Sequence, residues 1–462
     1  ADLHDRAARI AAAARAAENV EVVVARSVDT EVRAHGGDVE SLTVAESVGV
    51  GVRITLSGRE GFAHAGTFDT DVVEGLLPEA RDNAGFSVPD EHVGPAEPDG
   101  ATHPDIDPWH EGVITTPIEH KIGIALATEA AATAADPRVR GVRTAVYRDS
   151  RTERAIVATT GITAEVRSTG ASVSATALLD DTDGRTRTGS AVRAARSPGE
   201  LDPALVGSLA VERAVVLLGA RPPRTGRVTV VLEPRFAATL LGIVAGMLSA
   251  ERVLKGRTPF ADRMGDRIGS PALGLVDDPT DPDSLGATAA DGEGLATRSV
   301  PLIVGGVLRG FLHDTHTARA LATTSTGSAR RGARSRPSPG HRAIHVSPGR
   351  GDLASLISGV DDGLLVQSLQ GVHSGVNAVS GDLSIGVEGL RIRDGEPAEP
   401  VREATLAGAI PRLMLDMAAV GADLERQPGG ARVPSLVVEG LVLGGAPAAR
   451  PQLGPIGADR SR

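Results

Sequence analysis

A chain of 462 residues, with 41% hydrophobic and 23% charged residues, is too long for one ordinary core and too apolar to be disordered. We therefore expect two folded domains. The formal net charge of -11 argues against a general nucleic-acid surface, and the lack of cysteine excludes disulfides, thiolate metal ligands and a cysteine nucleophile.

The first half of the chain predicts helices packed on an antiparallel sheet. Its N-terminus has acidic residues and no cationic region before an apolar run, so we expect no secretory signal peptide. Stretches with apolar residues at helical spacing alternate with stretches rich in β-branched residues. The predicted helices are Leu3 to Glu18, Val72 to Ala84, Thr116 to Ala135 with Thr116 as its cap, and Asp202 to Gly219. The predicted strands lie within Val20 to Ala25, Thr30 to Ala65 and Arg140 to Arg196.

A stiff proline pair marks the expected domain boundary. Pro222 and Pro223 lie between a predicted helix end and the strand Val228 to Leu232. We therefore expect an N-terminal α+β domain at residues 1–220, a linker at 221–225 and a C-terminal β-rich domain at 226–462.

One long helix is predicted from Arg235 to Leu254, with Pro234 suited to its first turn. It would be about 30 Å long, enough to cross a domain core. Gly242 and Gly246 leave one face bare, so we expect another backbone to pack closely there. Its apolar run is shorter than the roughly 20 residues that span a membrane, which predicts a soluble, cytoplasmic protein with no membrane partner.

The remainder of the second half predicts short strands separated by glycine turns. They suggest an antiparallel domain, barrel-like or sandwich-like, that holds the central helix. The predicted strands are Val300 to Val304, Val307 to Leu312, Leu383 to Val387, Gly389 to Arg393 and Leu436 to Val442. The stretch Thr323 to Pro339 has no periodicity and is interpreted as a mobile loop.

Common catalytic and nucleotide-binding motifs are missing from the sequence. It has no phosphate-cradling glycine loop, no Gly-x-Ser-x-Gly elbow and no His-Glu-x-x-His motif. The closest histidine pairs are His313 with His316 and His341 with His345. For both pairs, structural histidines are favoured over metal ligands.

A glycine-rich segment from Gly371 to Asp382 is more distinctive. One hypothesis makes His373 a general acid or base beside Ser374. The favoured interpretation is a tight turn stabilised by the side chains of Asn377 and Asp382, because neighbours in sequence do not imply triad geometry.

Several segments, in order along nearly the whole chain, resemble the TldD/PmbA peptidases, and in particular the PmbA (TldE) branch. They are VGVGVRITLSGREGFAHA from Val48, VLKGRTPFADRMGDRIGSP from Val253, DGEG from Asp291, GVLRGFLHDTHTAR from Gly306 and HSGVNAVSGDLSIGVEG from His373.

The resemblance implies where a zinc site would lie and that this chain lacks it. In the TldD branch, a His-Glu-x-x-x-His motif precedes the VLKGR-like segment and binds zinc together with a cysteine. Here the histidine positions fall on Leu241 and Gly246 and the glutamate position on Gly242, and there is no cysteine. We therefore expect no cofactor on this chain and zinc in a partner subunit.

The function implied is that of a non-catalytic subunit in a heterodimeric metalloprotease. A TldD-like partner would supply His-Glu-x-x-x-His, and the pair would enclose a cavity for unfolded or modified peptides. The residues expected at the peptide or the interface are Arg257, His373, Ser374, Asn377 and Asp382. The alternative is an independent hydrolase or peptide-binding protein of the same fold, acting without such a partner through His313, His316 or His373.

Overall fold

The computed structural model of the chain describes residues 3–445, and its first half is built on a six-stranded antiparallel sheet. The strands of this sheet are β1 (Asn19–His35), β2 (Asp38–Leu56), β3 (Arg59–Ala65), β4 (Val139–Ala158), β5 (Thr163–Asp180) and β6 (Thr186–Ala195). The helices of this half are α1 (Leu3–Ala11), α2 (Thr70–Phe86), α3 (Gly112–Thr115), α4 (Ile118–Ala135) and α5 (Pro203–Val215), with a 3₁₀ turn at Pro198–Glu200. The strand order is β3-β2-β1-β4-β5-β6.

The alternation of side chains along β1 explains how this sheet is covered. Val22 packs with α1 and α2, and Val32, on the same face, packs with α4 and α5. Val23 points to the opposite face, where it meets Leu295 and Ala333 from the second half of the chain. The sheet therefore has its helices on one side and contacts the second half on the other.

The second half consists of many short strands and helices around one large core. Its strands are β7 (Gly226–Leu232), β8 (Leu275–Asp277), β9 (Val300–Val304), β10 (Val307–Leu308), β11 (Ala329–Arg330), β12 (Ser338–Pro339), β13 (Ile344–Val346), β14 (Asp362–Gln370), β15 (Asp382–Arg393), β16 (Glu396–Ala409), β17 (Met417–Val420), β18 (Glu425–Arg426), β19 (Arg432–Val433) and β20 (Leu436–Gly444). Its helices are α6 (Pro234–Met247), α7 (Ala250–Leu254), α8 (Thr315–Ala320), α9 (Leu353–Ser358), α10 (Val372–Gly375) and α11 (Ile410–Leu415).

Five of these strands close into a barrel. The order is β16-β15-β14-β7-β20, and β20 pairs back onto β16, which closes the ring. A second sheet of short strands, in the order β10-β9-β8-β13-β19-β18, lies on the other side of α6, and both sheets contribute to the same core as this helix. The predicted fold class is confirmed: helices on antiparallel sheet in the first half, and a barrel with a central helix in the second.

The central helix is interrupted, so the prediction of one helix from Arg235 to Leu254 is wrong. Pro234 does occupy the first turn, but α6 ends at Met247 and α7 begins at Ala250. Between them the backbone pairs with Leu312: Leu312 N donates to Leu248 O at 3.0 Å, and Ala250 N donates to Leu312 O at 2.9 Å. These tertiary hydrogen bonds replace helical ones and break the helix.

The end of α1 and the cap of α4 also differ from the prediction. The helix expected to reach Glu18 ends at Ala11, because the carboxylate of Glu18 accepts from Arg15 N at 2.8 Å in a turn. Thr116 does not cap α4, because its hydroxyl donates to Gly112 O at 2.6 Å. The helix start predicted at Asp202 is confirmed, since the carboxylate of Asp202 accepts from Leu205 N and caps α5.

Long-range pairing explains the remaining differences in the second half. The stretch expected to be a mobile loop holds the β11–β12 hairpin and buries the side chain of Arg331. The strand expected from Val307 to Leu312 ends at Leu308, and the two strands expected after Leu383 form the single strand β15. Within residues 3–445, none of the helices combines the length and apolar composition needed to cross a membrane.

Candidate functional site

The two sides of α6 differ in packing, and the difference bears on the predicted site. Leu241 is 0% exposed and packs in the core with β7 and β15, whereas Gly242 and Gly246 lie on the accessible side. A Cβ added at Gly246 would have no neighbour within 4 Å, and one added at Gly242 would meet only His341 Nε2, at 4.0 Å. No other backbone among the described residues packs against these glycines, so that expectation is wrong and the face is open.

The residues at the implied histidine and glutamate positions do not fit a hydrolytic zinc site. Leu241, Gly242 and Gly246 offer no donor atom, and a zinc site in a hydrolase needs about three protein ligands. Across residues 3–445, no group of three or more histidine, aspartate or glutamate side chains has the arrangement of a metal site. The imidazole of His341 lies beside α6, and burial lowers its pKa, so the ring is neutral. A single imidazole does not make a set of metal ligands.

The glycine-rich segment forms the tight turn that the favoured interpretation predicts. β14 ends at Gln370, and Gly371 adopts a left-handed conformation with φ of 69° before the short helix α10. Asn377 Oδ1 accepts from Val379 N at 2.9 Å, and Ser380 donates its hydroxyl hydrogen bond to Asp382 Oδ2 at 2.6 Å. The side chains of Asn377 and Asp382 therefore hold the turn.

His373 and Ser374 are both exposed at the start of this turn. Ser374 Oγ donates to Gly371 O at 3.3 Å, and within residues 3–445 the structure has no hydrogen bond between His373 and Ser374. A hydroxyl engaged with the backbone is not activated by a neighbouring imidazole. The segment thus offers accessible polar groups rather than a formed catalytic pair.

Arg257 lies close to this turn along a neighbouring segment. Its amide donates to Arg252 O at 2.8 Å just after α7, and its side chain is exposed. Gly381, with φ of 82°, allows the turn to approach this segment, because a Cβ there would lie 3.5 Å from Pro259 Cγ and 2.7 Å from Pro411 Cδ. The structure thus brings these two segments together, although the five predicted side chains do not form one hydrogen-bonded cluster.

The histidines considered as alternatives are separated. His316 Nε2 lies 2.9 Å from Asp90 Oδ2 at the surface, and His345 Nε2 lies 3.6 Å from Asp281 Oδ2. The ring of His313 is buried, and its Nδ1 has no hydrogen-bond partner among the described residues. Burial lowers the pKa of His313 and keeps this ring neutral.

A buried group of charges between the two halves was not predicted. We call it the interdomain charge cluster, and it consists of Glu21, Arg53, Asp291, Glu293 and Arg331. Arg53 Nη2 lies 2.9 Å from Glu21 Oε2 and 3.5 Å from Glu293 Oε1, and Arg331 also contacts Glu21. The cluster thus joins β1 and β2 of the first sheet to two segments of the second half.

Burial dominates the electrostatics of this cluster. It raises the pKa of Glu293 to about 7, with Asp291 and Asp314 adding to the effect and Arg53 opposing it. Burial likewise raises the pKa of Asp291 to about 6, against hydrogen bonds from three backbone amides. Glu293 is 1% exposed, so a peptide substrate does not reach it. The only signal for this cluster in the sequence was the DGEG segment. Arg331 gave none, because it lies in the stretch that was interpreted as a mobile loop.

Sequence models of the PmbA/TldA metallopeptidases match three parts of the chain. Domain 1 matches residues 20–84, the central domain residues 112–218 and the C-terminal domain residues 225–445. The Metalloprotease PmbA of Escherichia coli O157:H7 is 25% identical over 433 residues, which cover 92% of each chain.

Solved structures show the same fold. A Thermotoga maritima protein described as a candidate modulator of a DNA gyrase superposes with a TM-score of 0.88 at 26% identity, covering 96% of this chain and 100% of its own. TldE from Thermococcus kodakarensis superposes with a TM-score of 0.85 at 24% identity, covering 92% and 97%. With matching models along all three parts and relatives aligned over nearly the whole length, the chain belongs to the PmbA/TldD metallopeptidase family.

Proposed function

We propose that this chain is the zinc-less, non-catalytic subunit of a cytoplasmic heterodimeric metalloprotease that cleaves unfolded or modified peptides. A TldD-like subunit with His-Glu-x-x-x-His supplies the zinc and the general base. This chain supplies part of the wall of the enclosed peptide cavity and binds no metal itself.

The observation that carries the proposal is the open glycine face of α6. The resemblance implies that this helix corresponds to the family's zinc helix, yet it turns Gly242 and Gly246 away from the core and Leu241 into it. A face without side chains leaves room for an extended peptide beside the helix, because peptide backbone can approach a glycine closely.

The side chains predicted to contact the peptide suit binding rather than bond cleavage. The guanidinium of Arg257 can pair with a peptide carboxylate, and the exposed imidazole and hydroxyl of His373 and Ser374 can hydrogen-bond to peptide groups. These roles are binding roles and require no activated nucleophile on this chain.

The test compares the purified chain alone with the chain mixed with the TldD-like subunit. Alone, we expect little bound zinc by elemental analysis and no hydrolysis of an unfolded peptide. With the partner, we expect hydrolysis that a chelator abolishes and that a Glu-to-Gln change in the partner's motif also abolishes. Stoichiometric zinc in the lone chain, with hydrolysis lost in His373→Ala, would instead support the independent hydrolase.

A further inference from the structure

A groove rich in arginine lies where the linker meets the barrel, away from α6. We call it the arginine groove. It encloses about 610 Å³, and its charged lining consists of Arg221, Arg224, Arg227, Arg391 and Arg393 with the two carboxylates Asp362 and Glu399. The surface therefore concentrates positive charge in a chain whose net charge is -11.

The carboxylates in this groove balance only part of the positive charge of its arginines. Arg391 and Arg393 both contact Asp362, and Arg393 Nη2 also lies 2.9 Å from Glu399 Oε1. These two arginines and two carboxylates balance each other. Since five arginines face two carboxylates among the described residues, this part of the chain gives the groove an excess of three positive charges.

The fold holds the linker wall of the groove in place. Arg221 N donates to Pro400 O, and Arg402 N donates to Arg221 O, both at 3.2 Å, so the linker is bonded to β16. The next two residues, Pro222 and Pro223, restrict the linker further, because each proline ring fixes its own φ angle. A charged surface that is already ordered loses less entropy on binding than a flexible one.

The spacing of the arginines along the linker indicates which class of ligand fits the groove. Arg221 and Arg227 are six residues apart on an extended segment, which corresponds to about 18–20 Å of chain at roughly 3.3 Å per residue. Such a stripe matches carboxylates spaced along an extended peptide better than one compact phosphate. The lining has no aromatic side chain on which nucleic-acid bases would stack.

We propose that the arginine groove binds an acidic polypeptide segment, through carboxylates that pair with the linker arginines. This site is separate from the α6 face and does not depend on a TldD-like partner. It is a docking site for an acidic segment of a partner protein.

The experiment measures fluorescence anisotropy of a labelled hexaglutamate peptide with the full chain at about 50 mM and about 300 mM salt, which changes the screening of exposed charges. We expect Arg221→Ala/Arg227→Ala to weaken binding by about tenfold and the higher salt to weaken it similarly. The matched control, Arg138→Ala/Arg140→Ala, removes two exposed arginines that do not line the groove and should leave binding unchanged.

A second variant keeps the test independent of folding damage. Asp362→Asn frees Arg391 and Arg393 from their shared carboxylate, so hexaglutamate should bind more tightly. Equal binding by the groove and control variants would overturn the proposal. So would a single-stranded oligonucleotide or pyrophosphate that displaces the peptide at equal or lower concentration, because the groove would then favour phosphate.

Discussion

At the scale of single residues, the most unusual feature is the shortage of cations around the buried carboxylates. Glu293 is held by Thr315, whose amide and hydroxyl donate to Oε2 at 2.8 and 2.7 Å, and Arg53 is 3.5 Å from its other oxygen. Arg53 is shared with Glu21 and Glu60, so Glu293 is only partly neutralised. The protonated form is therefore favoured in the folded chain.

This arrangement predicts how stability depends on pH. The pKa of Glu293 is raised from its ordinary 4.5 to about 7, so the unfolded chain loses this proton first as pH rises. The contribution to stability is present below about pH 4.5 and is lost as pH rises through 7. Glu293→Gln should reduce the stability loss between about pH 5 and pH 8 by roughly 1–3 kcal/mol, measured by urea unfolding.

Glu396→Gln is the matched control because Glu396 is exposed on β16. In this variant, the free energy of unfolding should change between about pH 5 and pH 8 by the same amount as in the parent chain. An unchanged pH dependence in Glu293→Gln would show that this carboxyl is already ionised near pH 5 in the folded state.

At the scale of secondary-structure elements, strand glycines set how closely helices approach the first sheet. A Cβ added at Gly189 of β6 would lie 2.1 Å from Ala210 O and 2.4 Å from Ala214 N, both in α5. A Cβ added at Gly61 of β3 would likewise collide with the backbone of Ala80 and Ala84 in α2. In both cases a helix backbone rests directly on the strand.

Gly189→Ala should therefore destabilise the chain by about 1–3 kcal/mol, because α5 must move away from the sheet. Gly170→Ala on neighbouring β5 is the matched control, since a Cβ there meets nothing within 4 Å, and it should change stability by less than about 0.5 kcal/mol. Thermal unfolding of both variants checks this. Similar losses in the two would mean that strand propensity, rather than contact with α5, sets the cost.

The elements also show what local sequence signals can predict. Alternating valines and the cap at Asp202 act within a few residues, and the corresponding strands and α5 were predicted. The break between α6 and α7 depends on Leu312, and the buried position of Arg331 depends on Glu21, more than 300 residues earlier in the chain. Such long-range partners leave no periodicity in the sequence, which is why both were missed.

At the scale of the whole molecule, the class of fold was predictable, but the shape of the candidate site was not. Short strands separated by glycine turns indicated a barrel-like or sandwich-like domain, and the resemblance implied that α6 corresponds to the family's zinc helix. Whether Gly242 and Gly246 would be covered or open depended on every segment around α6. That question is decided only by the assembled chain, in which an added Cβ meets no described atom within 4 Å at Gly246 and only His341 at Gly242.

The open face gives the sharpest prediction for the proposed heterodimer. Gly246→Phe adds a large ring where an added Cβ has no neighbour within 4 Å, so the chain should fold and still bind its TldD-like partner. If the face lines the peptide cavity, the ring occupies space that the peptide needs. Hydrolysis by the mixed subunits should then fall by at least about tenfold, since small displacements of bound substrate have large effects on rate.

Gly75→Phe is the matched control, because Gly75 is likewise a helical glycine with no neighbour within 4 Å of an added Cβ, but it lies on α2. It should leave hydrolysis unchanged. Size-exclusion chromatography separates the two ways in which Gly246→Phe can act: loss of the complex would place α6 at the subunit interface, whereas an intact complex with reduced hydrolysis would place it at the peptide. Full hydrolysis by an intact Gly246→Phe complex would contradict the cavity-wall role, because a side chain of that size beside the peptide cannot be without effect.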